Sequence, residues 1–125
     1  MTTIAARLAR RLIVFSIDPA LRAEVAGSLP EGWQASYAAG VAEVGEFQEV
    51  LLHRFALLDL EPGDGSDPIE TVREIRGEML LNIPIFCVGG DDATRDAARL
   101  ARADRFFERS ELAALLPRLC EGFAW

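Results

Sequence analysis

The chain contains no lysine; all thirteen of its basic residues are arginine. Side-chain amine chemistry, Schiff-base formation above all, is thereby excluded. There is one histidine, His53, and the two cysteines, Cys87 and Cys120, have neither metal-ligand spacing nor the makings of a disulfide framework. Such sparse cysteine suits a reducing cytoplasm. No apolar run reaches the about 18 residues of a membrane span. Residues 1–11 lack the apolar core of about 7–15 residues found in signal peptides. A net charge of −7 over 125 residues leaves no broad positive field for nucleic acid or an anionic membrane. No glycine- or hydroxyl-rich phosphate loop follows the first apolar run, where Ser16-Ile17-Asp18-Pro19 stands instead, which argues against a flavodoxin-like cofactor binder. What is left is a cytoplasmic, one-domain protein, half of whose residues are hydrophobic.

The hydrophobic residues fall into short runs that do not alternate. Leu12-Ile13-Val14-Phe15, Phe55-Ala56-Leu57-Leu58 and Ile85-Phe86-Cys87-Val88 have the form of strands buried on both faces. Trp33–Ala38 and Arg105-Phe106-Phe107 read as two more strands. Between them lie helical signals. Asp18-Pro19 and Asp67-Pro68-Ile69-Glu70 are helix starts, an N-cap followed by proline at the first helical position. Leu21, Val25 and Leu29 form one apolar stripe, and Ile69, Val72, Ile75 and Met79 another. The spacing predicts a helix from Gly40 with Val44, Phe47 and Leu51 inward, one capped by Asp91 or Asp92 and running to about Arg102, and one capped by Ser110 that buries Leu112, Leu115, Leu116, Leu119 and Phe123. Residues 1–10 read as an arginine-bearing extension and 11–125 as the domain.

Alternation of this kind implies a parallel sheet with helices on both faces. Five strands in this length fit the flavodoxin-like order 2-1-3-4-5, a three-layer α/β sandwich. In that order the carboxyl ends of strands 1, 3 and 4 lie side by side. Ser16-Ile17-Asp18, Asp59 and Gly89-Gly90 should then share one pocket.

From Arg11 to Leu119 the chain resembles the receiver domains of response regulators, the CheY-like modules of two-component phosphorelay signalling. The resemblance rests on Leu57-Leu58-Asp59-Leu60, on Ile83-Pro84-Ile85 and on Ala103-Asp104-Arg105-Phe106-Phe107, with Arg11–Arg22 matching the first strand and helix. It implies that Asp59 stands where the family's aspartate accepts a phosphoryl group. That chemistry brings two anions together, a repulsion of about 4 kcal/mol at about 4 Å and an effective dielectric of about 20. The family relieves it with a divalent cation held by an acidic pair. Here Ser16 and Ile17 take the pair's places, and Asp18, one position late, is better explained as a helix cap. Gly89 replaces the family's Thr or Ser. Arg109 stands for its lysine, and Phe106 holds the aromatic switch position. Pro62 falls one residue earlier than the family's loop proline. Asp59 is thus expected to be a relic bonded to loop amides or to Arg109. Degenerate members of this kind, pseudo-receivers, dock proteins without being phosphorylated.

The expectation is a protein-interaction module in signal transduction, with no turnover and no cofactor. The alternative is a slow phosphoacceptor at Asp59 that uses Mg²⁺. Arg95, Arg99 and Arg102 fall at i, i+4 and i+7, a basic stripe suited to an acidic partner surface, though pairing with Asp96 as a solvated face is the plainer reading. The last two helices and the last strand also offer a homodimer face. Gly89-Gly90 is either a turn or an anion-holding nest of N–H groups. His53 reads as a surface residue with no serine or cysteine beside it, and Cys87 as a small core hydrophobe.

Overall fold

Strands without polar alternation need apolar cover on both faces, and the fold provides it. The computed structural model describes residues 4–61, 63 and 65–125. Five parallel strands form one sheet in the order β2-β1-β3-β4-β5, as the alternation predicts. They are β1 (Arg10–Phe15), β2 (Trp33–Ala38), β3 (Phe55–Asp59), β4 (Ile85–Val88) and β5 (Arg105–Phe107). β3 is central: Leu57 lies opposite Val14 of β1, and Asp59 opposite Val88 of β4.

The helices are α1 (Ile4–Leu8), α2 (Pro19–Ser28), α3 (Phe47–Leu51), α4 (Pro68–Arg73), α5 (Asp92–Leu100) and α6 (Leu112–Gly122). Successive strand residues face opposite ways. Leu12, Val14, Phe55 and Leu57 pack with Leu21 and Val25 of α2 and Leu112 and Leu116 of α6. Ile13, Phe15, Ala56 and Leu58 pack with Val50, Val72 and Ala98 of α3, α4 and α5. The helix starts read from the sequence are real caps. The Asp18 carboxylate accepts from Ala20 N, Asp67 from Glu70 N and Asp91 from Thr94 N. Among the described residues no helix is long and apolar enough to cross a membrane.

Several expectations give way. The helix expected over 40–51 is a 3₁₀ turn (Val41–Glu43), a break at Gly45 (φ +128°) and then the short α3. The break resets the helical phase, so Val41 and Val50 are buried while Phe47 and Leu51 are 46% and 54% exposed. Ser110 is not the cap of the last helix. It lies inside a 3₁₀ turn, Arg109–Glu111, opened by a capping box between Glu108 and Glu111. α5 ends at Leu100, so Arg102 is off the helix, in left-handed backbone (φ +79°). Arg10 belongs to β1, and α1 is tied to the domain: buried Arg54 donates to Leu8 O, Phe123 O and Trp125 O, with its guanidinium 4.4 Å from the Trp125 ring centre.

His53 is no surface residue. It is 5% exposed, with Nε2 3.0 Å from Ser36 Oγ and Nδ1 2.9 Å from Glu49 O. The carbonyl requires a proton on Nδ1, so neutral His53 accepts the Ser36 hydroxyl at Nε2.

Candidate functional site

The sheet order brings the three strand ends together as expected. Asp59 ends β3 and is 4% exposed; Ser16, just past β1, is fully buried. The Ser16 hydroxyl donates to Asp59 Oδ2 at 2.6 Å and accepts from Asp18 N at 3.1 Å. Asp59 Oδ1 accepts from Glu61 N at 2.8 Å. Both carboxylate oxygens are therefore engaged by the chain itself. The 2.6 Å contact is in the range of a charge-assisted O–H···O⁻ bond. Asp18 caps α2. Ile17 packs towards the loop after β3, its Cδ1 3.8 Å from where a Cβ on Gly65 would lie. Arg22 secures the first loop, donating Nε–H to Ser16 O at 2.6 Å.

Gly89 does more than lack a hydroxyl. Its φ is +76°, and a Cβ there would lie 2.8 Å from Glu61 Oε2. The Glu61 carboxylate lies over the place where the family would carry Thr or Ser. Gly89 and Gly90 are both left-handed (φ +76° and +84°), whereas a nest pairs residues of opposite hand. Gly89 N–H is also given to Phe107 O at 2.9 Å. The pair makes a turn.

Arg109 does not reach Asp59. It pairs with Glu24 of α2, where the 3₁₀ turn that begins at Arg109 sends it. Arg95 instead touches the pocket rim, donating Nε–H to Gly89 O at 3.0 Å and pairing with Glu108 at 3.1 Å. Arg99 pairs with Asp96 and lies 4.7 Å over the ring centre of half-buried Phe106. Arg102 turns away from both, towards Arg76 O. The predicted basic stripe is thus not one free face. Pro62 lies outside the described residues. Cys87 is a core residue whose thiol is pushed up to about 12 by burial, reinforced by the charge of Asp104.

Sequence reasoning missed Glu61, Glu24 and the role of Arg95. The one available signal was Gly89, which leaves space that some neighbour must fill. Among the described residues no three His, Cys, Asp or Glu side chains converge as metal ligands. The donor set does not fit a divalent cation. Asp59 brings one carboxylate, the Ser16 hydroxyl beside it is neutral and donates to it, and Ile17 has no donor atom, so the acidic pair that would complete the ligand set is absent from these positions.

No family model and no curated protein sequence matches the chain. Solved structures do. The signal receiver domain of a response regulator from Bermanella marisrubri is 21% identical with a TM-score of 0.73, covering 92% of this chain and 98% of its own. The receiver domain of a sensor histidine kinase from Pseudomonas aeruginosa PAO1, solved with magnesium in its active-site cleft, is 16% identical with a TM-score of 0.67, covering 93% and 98%. A response regulator from Thermotoga maritima is 17% identical with a TM-score of 0.66, again covering 93% and 98%. At these identities the likeness is one of fold: the chain has the flavodoxin-like architecture of receiver domains.

Proposed function

We propose that this chain is an atypical receiver domain acting in phosphorelay-type signalling as a phosphorylation-independent protein-interaction module, with no turnover and no resident cofactor. One observation carries the reading. Asp59 sits buried with one oxygen bonded to Ser16 Oγ and the other to Glu61 N. A phosphodonor must compete with those bonds, and the incoming negative charge meets the Glu61 carboxylate where the rim cation Arg95 is engaged by Gly89 O and Glu108 and Arg109 is spent on Glu24. Like-charge approach at low dielectric costs several kcal/mol.

Docking is then the role we assign to the fold. The surface of α5, β5 and α6 carries Arg99 laid across Phe106 and the 86% exposed Leu100. We assign it to a protein partner with acidic groups; a second copy of the chain is the other occupant to test. Arg99→Glu should weaken recovery of the partner, and unchanged recovery counts against this face.

Intact mass spectrometry after incubation with a small-molecule phosphodonor and Mg²⁺ tests the chemistry. The expected result is no phosphoryl adduct and no Mg²⁺-dependent rise in Tm. An adduct that is absent from Asp59→Asn overturns the reading in favour of a slow phosphoacceptor.

A further inference from the structure

A second feature adjoins that docking face at Leu100, and it does not depend on the reading of Asp59. The end of α4 and the end of α5 flank a cavity of about 350 Å³. Its floor is Arg76, which is 7% exposed. Arg76 donates Nε–H to Arg102 O at 3.0 Å, Nη1–H to Leu81 O at 2.7 Å and Nη2–H to Asp104 Oδ2 at 2.8 Å. An arginine has five N–H groups, so two of them remain. Arg102 bounds one side, its Nη2 3.3 Å from Arg76 O, and Arg73 of α4 bounds another.

Among the described residues only Asp104 pairs with these three cations; neither Arg73 nor Arg102 has an ion-pair partner. Two positive charges are left over in one cavity of a chain whose net charge is −7. Burial works against the charged form of Arg76, the Asp104 carboxylate offsets part of this, and the like charge of Arg102 adds to it. Arg73 and Arg102 are exposed and so partly screened by water, and an anion entering beside them would be attracted by both. The walls leave room for one. Gly77, Ala97 and Ala101 line the cavity, and a Cβ added to Gly77 would meet nothing within 4 Å. At the rim stands Leu100, an apolar lip.

We infer that this cavity binds a small, multiply charged anion of the phosphate-ester class, gripped by Arg73, Arg76 and Arg102, with the organic part of the ester against Leu100. The volume is at the small end of ligand sites, which run from about 300 Å³. Three guanidinium-bearing residues lining one cavity suit a compact group with several oxygens.

Inorganic pyrophosphate is the probe, titrated calorimetrically at low ionic strength. Saturable one-to-one binding is expected. Arg73→Gln and Arg102→Gly should each weaken it about tenfold, the loss of one charged hydrogen-bond donor. Arg118→Gln, on α6, should leave it unchanged. Arg102→Gly separates binding from folding, because glycine suits the left-handed backbone there. The inference is overturned if the wild type does not bind saturably, if Arg73→Gln and Arg102→Gly bind like wild type, or if Arg118→Gln loses as much as they do. Binding of a glutamate-rich peptide without pyrophosphate also overturns it, making the cavity a docking groove.

Discussion

Removing the Ser16 hydroxyl tests whether the Asp59 pocket is held shut from within. Ser16→Ala keeps the Cβ, so packing around this fully buried residue hardly changes. Two bonds go. The 2.6 Å bond to Asp59 Oδ2 joins buried groups, and a hydrogen bond to a charged partner contributes about 1.5–3 kcal/mol. The Asp18 N–H loses its acceptor in a half-buried setting, about 0.5–1.5 kcal/mol more. The expected loss is about 2–4 kcal/mol, large against a typical total stability of about 5–15 kcal/mol. At about 4 °C per kcal/mol for this chain length, Tm should fall by roughly 8–16 °C. Guanidinium unfolding should show a lower midpoint with an unchanged slope. Asp59→Ala removes the same bond from its other end, so the double variant should be milder than the sum of the singles by about 1.5 kcal/mol or more. A Ser16→Ala loss within about 0.5 kcal/mol, the range of ordinary surface changes, or strict additivity with Asp59→Ala, would refute an internally sealed pocket.

Two further outcomes follow from other parts of the fold. His53 has its pKa lowered from 6.5 by burial, with the Arg11 charge adding, so between its folded value and about 6.5 the unfolded chain binds more protons. Stability should therefore be complete above about pH 6.5, fall as pH drops through that window and level off below it; His53→Gln should flatten the slope between about pH 7.5 and about pH 5, and an unchanged slope assigns it to other groups. Leu80 is 79% exposed with φ +56°, and left-handed backbone costs a non-glycine residue about 1–2 kcal/mol. After glycine's own entropic cost of about 0.5–1 kcal/mol, Leu80→Gly should stabilise by about 0.5–1 kcal/mol in denaturant unfolding, and destabilisation would show that Leu80 makes packing contacts that its exposure hides.

The elements that could be read in advance were those whose signal is local. β1, β3 and β4 are buried on both faces, and their unbroken apolar runs say so. Asp18-Pro19 and Asp67-Pro68 carry cap and first-turn proline together. What escaped depended on distant partners or on phase. Val44, Phe47 and Leu51 satisfy a helical period, but only if the helix is continuous, and Gly45 interrupts it. Arg102 fits the α5 stripe by count. The helix instead closes in a Schellman pattern, Ala103 N to Ala98 O and Arg102 N to Arg99 O, and the left-handed position that normally announces itself as glycine is here an arginine. His53 finds Ser36 17 positions away, and Arg109 finds Glu24 85 positions away. No spacing rule reaches that far.

At the candidate site the departures from the receiver pattern read in sequence as separate losses, but in the fold they interlock. Ser16 occupies an acidic position and its hydroxyl satisfies the acid that remains. Gly89 removes a hydroxyl, and the space it leaves lies under Glu61. Arg109 is drawn to Glu24, while Arg95 takes the Gly89 carbonyl and steadies the same rim. On the reading proposed above, installing one receiver-like residue alone should therefore confer little. Ile17→Asp would add a carboxylate beside an Asp59 whose oxygens are already bonded. Gly89→Thr would place its Cβ 2.8 Å from Glu61 Oε2 at φ +76°, a backbone conformation that threonine rarely adopts. Ser16→Asp would set two buried acids against each other with Arg109 still held elsewhere. On the reading proposed above, building an acidic pair, a strand-4 hydroxyl and a pocket cation into this site would require the loop after β4 to change hand and Arg109 to leave Glu24, so several positions would have to change at once.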